Sequence, residues 1–156
     1  MAGIPIGKLL VEQGVLTREQ VKHILEVQRS SHRPFGDLAE RLYGVEPRAI
    51  EDAWTQQYVS RTGATDLETV AVDPACLKLI TARQAWQFHL LPLFRDDDSV
   101  HVATTADNLV RGVNFVTRKF GEPAHFVIAS DRQLRQHLMR HYPVPQYVAD
   151  YAMAMA

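Results

Sequence analysis

The first third of this chain is a repeat, and the repeat limits what the chain can fold into. Pro5, Ile6 and Gly7 open one copy, and Pro34, Phe35 and Gly36 open a second 29 residues later. At that period Leu9 falls on Leu38 and Gln28 on Gln57. Apolar character is kept at Ile6/Phe35, Leu10/Ala39, Leu16/Val45, Val21/Ile50, Ile24/Ala53 and Leu25/Trp54. A fixed period of this length marks a duplicated supersecondary unit.

Each copy reads as a helical hairpin. In the first, Ile6, Leu9, Leu10 and Gln13 share a face of a short helix. Gly14 ends it, because glycine accepts the left-handed conformation that closes a helix. Thr17 to Gln20 is a capping box, and Val21, Ile24, Leu25 and Gln28 then fall at helical spacing as one stripe. In the second copy Phe35, Leu38, Ala39 and Leu42 form the short face and Tyr43-Gly44 turns the chain. Pro47 starts a helix carrying Ile50, Ala53, Trp54, Gln57 and Tyr58. Two such hairpins predict a four-helix layer over residues 1–62.

After Arg61-Thr62-Gly63-Ala64 the texture changes. Residues 63–143 predict a small α+β subdomain. Leu67–Val72 reads as a short strand, and Ala75–Ile80 and Ala82–Phe88 as helical. Strands are expected over 89–94, 100–104 and 125–129, with Pro92 at an edge or strand end. Asp107 is placed to cap a helix running to Phe120. Ser130 to Gln133 is a capping box opening a helix with Leu134, Leu138 and Tyr142 inward. Residues 144–156 read as a tail or linker. The fold class is therefore α+β, a tandem helical layer followed by a three-stranded sheet with helices.

Composition narrows the function. The chain is 46% hydrophobic and 22% charged with a net charge of −1, so no basic field draws in a nucleic acid polymer or an acidic membrane. The single cysteine, Cys76, excludes an internal disulfide and a cysteine-rich zinc site, and reads as a small buried side chain. No signal peptide or membrane-length apolar run is visible, so a soluble cytoplasmic protein is expected. There is no phosphate-loop motif, nucleophile elbow or His-Glu-x-x-His, which argues against an enzyme. His137 and His141 stand four apart on a helix, and they read as solvated surface histidines rather than metal ligands. Asp96-Asp97-Asp98 reads as a solvated turn.

Binding chemistry concentrates in the repeat. Gly7 and Gly36 each sit at a helix start, where free N–H groups favour an anion and a missing side chain lets a phosphate approach. Gln28 and Gln57 each offer a donor and an acceptor to the edge of a planar base. The same positions also suit plain turn chemistry and exposed helix ends.

The doubled pattern, (Ile/Phe)-Gly-x-x-Leu followed by a distant Gln, resembles the N-terminal domain of bacterial type II secretion and type IV pilus assembly ATPases, the MshEN domain. Leu90-Leu91-Pro92-Leu93, Val100-His101-Val102-Ala103 and Ala106-Asp107 resemble its strand–strand–helix core. The resemblance implies a regulatory module without catalysis or a resident cofactor, with cyclic di-GMP as ligand across the tandem motif. Carried over by position, the implied ligand residues are Pro5, Ile6, Gly7, Leu10, Val11, Gly14, Leu25 and Gln28 in the first copy. In the second they are Arg33, Pro34, Phe35, Gly36, Ala39 and Gln57, with Asp107 from the second subdomain. Family motifs open with arginine where this chain has Pro5 and Pro34, and Arg33 is the displaced substitute. The alternative implied is a nucleotide-blind docking domain whose apolar helix face binds a secretion or pilus assembly protein.

Overall fold

The computed structural model describes residues 5–148. Its contacts divide the chain into two compact units, Met1–Thr62 and Gly63–Ala156. The expected tail lies outside the described residues from 149 onward.

The N-terminal unit is four helices: α1 (Ile6–Glu12), α2 (Arg18–Ser31), α3 (Phe35–Tyr43) and α4 (Pro47–Thr62). Gly14 at φ 73° and Gly44 at φ 63° make the left-handed turns that the two hairpins need. Thr17 makes the full capping box, accepting from Gln20 N while Gln20 Oε1 accepts from Thr17 N. The main packing crosses the repeats: α1 lies chiefly on α4, and α2 on α3. Each short helix thus has the long helix of the other copy as its principal neighbour, which interlocks the hairpins. Leu9, Leu10, Leu16, Ile24, Leu38, Ala39, Val45 and Ala53 form the core.

Two stripe positions fail to pack inward. Leu25 is 45% exposed and Leu42 40% exposed. The helical stripe is narrower than the sequence implies: α2 turns Val21, Ile24 and Val27 to the core, leaving Leu25 on the flank.

The C-terminal unit holds a three-stranded sheet in the order β1 (Leu91–Arg95), β2 (Val100–Thr104), β3 (Ala124–Ile128). β1 and β2 form an antiparallel hairpin, and β3 joins β2 in parallel after a crossover through α6 (Leu109–Lys119). Pro92 is tolerated because β1 is an edge strand, and the register slips between Pro92 and Phe94. Helices α5 (Ala82–Phe88) and α7 (Asp131–His141) complete the unit.

Several local expectations change here. Leu67–Thr69 is a 3₁₀ turn and not a strand, because the Asp66 carboxylate accepts from Glu68 N and starts a turn. Cys76–Leu79 is likewise 3₁₀. Asp107 does not cap α6; it stands in the 3₁₀ turn Ala106–Asn108, which precedes the helix. The Ser130 box is half made. Ser130 Oγ accepts from Gln133 N, but the Gln133 side chain is drawn to Leu67 N and Asp66 instead. His137 is not a surface residue: it is 4% exposed, with Nε2 3.0 Å from Glu68 Oε1. Cys76 is buried, as its apolar neighbours imply.

Candidate functional site

The helix starts of the two repeats have the same backbone. Pro5 precedes α1 with φ −59°, ψ 142°, and Pro34 precedes α3 with φ −58°, ψ 148°. No side chain caps either start. The ring of Phe35, first residue of α3, leans on α1: its Cζ lies 3.4 Å from where a Cβ on Gly7 would stand. The two motif starts are therefore neighbours, although they are 29 residues apart in sequence.

The space left by the missing side chains of the paired glycines, expected to admit a phosphate, is instead filled by the protein's own side chains. A Cβ on Gly7 would come within 2.9 Å of Val21 Cγ1, and one on Gly36 within 2.6 Å of Ile50 Cγ2. Val21 and Ile50 are themselves repeat partners. In each hairpin, then, the short helix sits against the long one at a point where only glycine fits. Any substitution at Gly7 or Gly36 perturbs the hairpin before it tests a ligand.

Beside Gly7 lies a groove of about 310 Å³, lined by Gly7, Lys8, Val11, Glu12, Arg18 and Val21. Gly7 and Val11 were among the sequence candidates; Lys8 and Arg18 were not. Both cations are exposed, and neither makes an ion pair among the described residues. Lys8 follows the motif glycine directly, and Arg18 follows the Thr17 cap by one residue. Folding the hairpin brings them to one rim, and that required the α1–α2 turn to be read in three dimensions.

The other candidates separate into groups. Pro5, Pro34 and Gly14 are exposed at helix ends, and Ile6 and Phe35 are half-buried near the paired starts. Leu10 and Ala39 are fully buried at 0% exposure, so they support the helix starts from within the core. Gln28 donates from Nε2 to the Arg33 carbonyl at 3.2 Å and so fastens the end of α2 to the loop before α3. Gln57 is half-buried on α4. Arg33 donates to Asp37 at 3.2 Å, and Arg41 donates to the same carboxylate at 3.1 Å. The two guanidiniums, Arg41 first and Arg33 second, hold the Asp37 carboxyl below the usual carboxylate range. Leu25 is exposed on α2, and Asp107 is exposed in the C-terminal unit. Among the described residues no group of three His, Cys, Asp or Glu side chains could hold a metal ion. No helix among them is long and apolar enough to cross a membrane.

Known proteins place these features in context. The family model of the MshEN domain matches residues 57–146, which is the end of α4 and the C-terminal unit rather than the tandem motif. The type IV pilus assembly ATPase PilB of Myxococcus xanthus (strain DK1622) is 23% identical over 137 residues, covering 88% of this chain. The chain spans 24% of the length of that relative. Among solved structures, MshE with cdg superposes with a TM-score of 0.50 at 24% identity, covering 89% of this chain and 99% of the other. The N-terminal domain of XpsE gives a TM-score of 0.49 at 17% identity over 88% of this chain and 93% of its own.

Proposed function

Since the chain belongs to the MshEN domain family, we propose that it is a non-catalytic regulatory module that binds cyclic di-GMP at the adjoining starts of its two repeats. One observation carries the reading: two uncapped helix starts with the same entry geometry meet where Phe35 rests on Gly7. A cyclic dinucleotide is itself twofold, with two purines and two phosphodiesters, and suits a doubled site. MshE, which has the same fold, was solved with cdg.

In this reading Ile6, Val11 and Phe35 offer apolar contact to the purine faces, and exposed backbone at Pro5 and Pro34 lets the phosphates approach. The helix dipole adds little, since α1 is only seven residues long and the effect grows with aligned peptides. The side-chain cations of the groove matter more. Gln28 keeps an acceptor for a base edge while its donor holds the α2–α3 turn. Bound across both repeats, the ligand favours whichever arrangement of the module it binds more tightly, and a secretion or pilus assembly ATPase is the class of protein that such a module regulates.

Titration calorimetry with cyclic di-GMP tests this, with cyclic di-AMP and GTP as controls. One ligand per chain at micromolar affinity or better, with the controls at least about tenfold weaker, is the expected result. A folded sample that gives no heat refutes it. The second reading, docking of a secretion or pilus protein, draws on the exposed Leu25 and Leu42. It gains if ligand binding is absent while substitution of those leucines abolishes association with the ATPase machinery.

A further inference from the structure

The two halves of the doubled site carry different charge. At the repeat period Lys8 falls on Asp37, Val11 on Glu40, Glu12 on Arg41 and Arg18 on Pro47. The rim of the first-repeat groove therefore holds two cations and one carboxylate, Lys8, Arg18 and Glu12. At the matching positions the second repeat has a carboxylate, a proline and an arginine. Of its arginines, Arg33 and Arg41 both bind Asp37 at 3.2 and 3.1 Å, while Arg48 is exposed one position beyond the Pro47 that matches Arg18. The backbone is repeated and the electrostatics are not.

We infer that Lys8 and Arg18 form the anion anchor of the site, holding the phosphate that lies at the first repeat, and that the second repeat lacks this pair, having Asp37 and Pro47 at the matching positions and the single exposed Arg48 beside them. The inference rests on the cyclic di-GMP reading and deepens it by making the two phosphates of a symmetric ligand unequal in the bound state. It also accounts for the proline at the first motif start. Pro5 brings neither charge nor an N–H, and the positive charge arrives instead from one residue beyond Gly7 and from the first residue of α2. Charge-assisted hydrogen bonds from two flexible, exposed side chains strengthen binding modestly and fade with added salt.

The test is cyclic di-GMP affinity, measured by calorimetry at low and high salt, for wild type, Lys8→Gln, Arg18→Gln and the double variant. Lys22→Gln is the charge control, since Lys22 is exposed on α2 and does not line the groove. Each single variant is expected to bind about threefold to tenfold more weakly, the double variant more weakly still, and its affinity should depend less on salt. Lys22→Gln should match wild type. All three positions are exposed, and equal melting temperatures show that the fold is kept. Wild-type binding that survives the double substitution with its salt dependence intact overturns the assignment of Lys8 and Arg18 but leaves the receptor reading standing. A wild type that does not bind overturns both.

Discussion

Gly36→Ala puts one methyl group where the structure has no room for it. The new Cβ would stand 2.6 Å from Ile50 Cγ2, and ordinary contact begins at 3.4 Å, so α3 and α4 must part by about 0.8 Å there. Ile50 cannot easily yield, because its β-branched side chain is stiff about the first torsion. Overpacking of this kind costs about 1–3 kcal/mol. Alanine returns up to about 1 kcal/mol of helix propensity, leaving a net loss of up to about 2 kcal/mol, about 1 kcal/mol at mid-range. With a urea m-value of about 2 kcal/mol/M, the midpoint falls by about 0.5 M. Circular dichroism at 222 nm follows the transition. Ile50→Leu moves the branch away from Cβ and removes the offending methyl. The double variant Gly36→Ala/Ile50→Leu should therefore be more stable than the sum of the single changes, by about 1 kcal/mol. Gly121→Ala serves as control, since nothing lies within 4 Å of a Cβ there. A Gly36→Ala protein as stable as wild type, or strict additivity with Ile50→Leu, refutes the close approach of α3 and α4.

Three further outcomes follow from the same structure. Tyr142→Phe removes the hydroxyl that donates to the Leu77 carbonyl at 2.7 Å in a buried setting, and should cost about 1–2 kcal/mol in urea denaturation. Thr17→Ala removes the cap of α2 and should cost about 1 kcal/mol, read as a lower melting temperature and lost helical signal. Asp96 is held down to about 2 by the hydrogen bond with His101, then by Ser99 N and Asp98 N. Its folded-state value lies below the ordinary 3.8, so its contribution to stability is present above pH 3.8 and is lost as pH falls toward 2. Urea midpoints measured between those pH values should fall more steeply for wild type than for Asp96→Asn.

The sequence carried the fold well where a residue's role is local. Gly14, Gly44, Thr17 and Pro47 act through their own backbone, and each ends or starts a helix where its chemistry requires. Roles set by distant partners were hidden. Gln133 fits a capping box by spacing, yet its side chain serves Leu67 and Asp66. His137 follows Arg135 and Gln136 and precedes Leu138 in sequence, and tertiary packing buries it against Glu68. Leu25 and Leu42 satisfy the apolar period and still face outward, because each helix meets its main partner on a narrower front. In the candidate site, the repeat located Gly7 and Gly36 but not their tight fit to Val21 and Ile50. Lys8 and Arg18 were invisible as a pair, since ten residues and a turn separate them along the chain.

The most direct test is a titration of the ¹⁵N-labelled protein with cyclic di-GMP, followed by amide resonances. Gly7 and Gly36 give separate reporters, one for each repeat. The account predicts that amides of 6–11 and of 35–40 shift together and saturate at one ligand per chain. Shifts at neither stretch, or at one without the other, would contradict a single site built from both repeats.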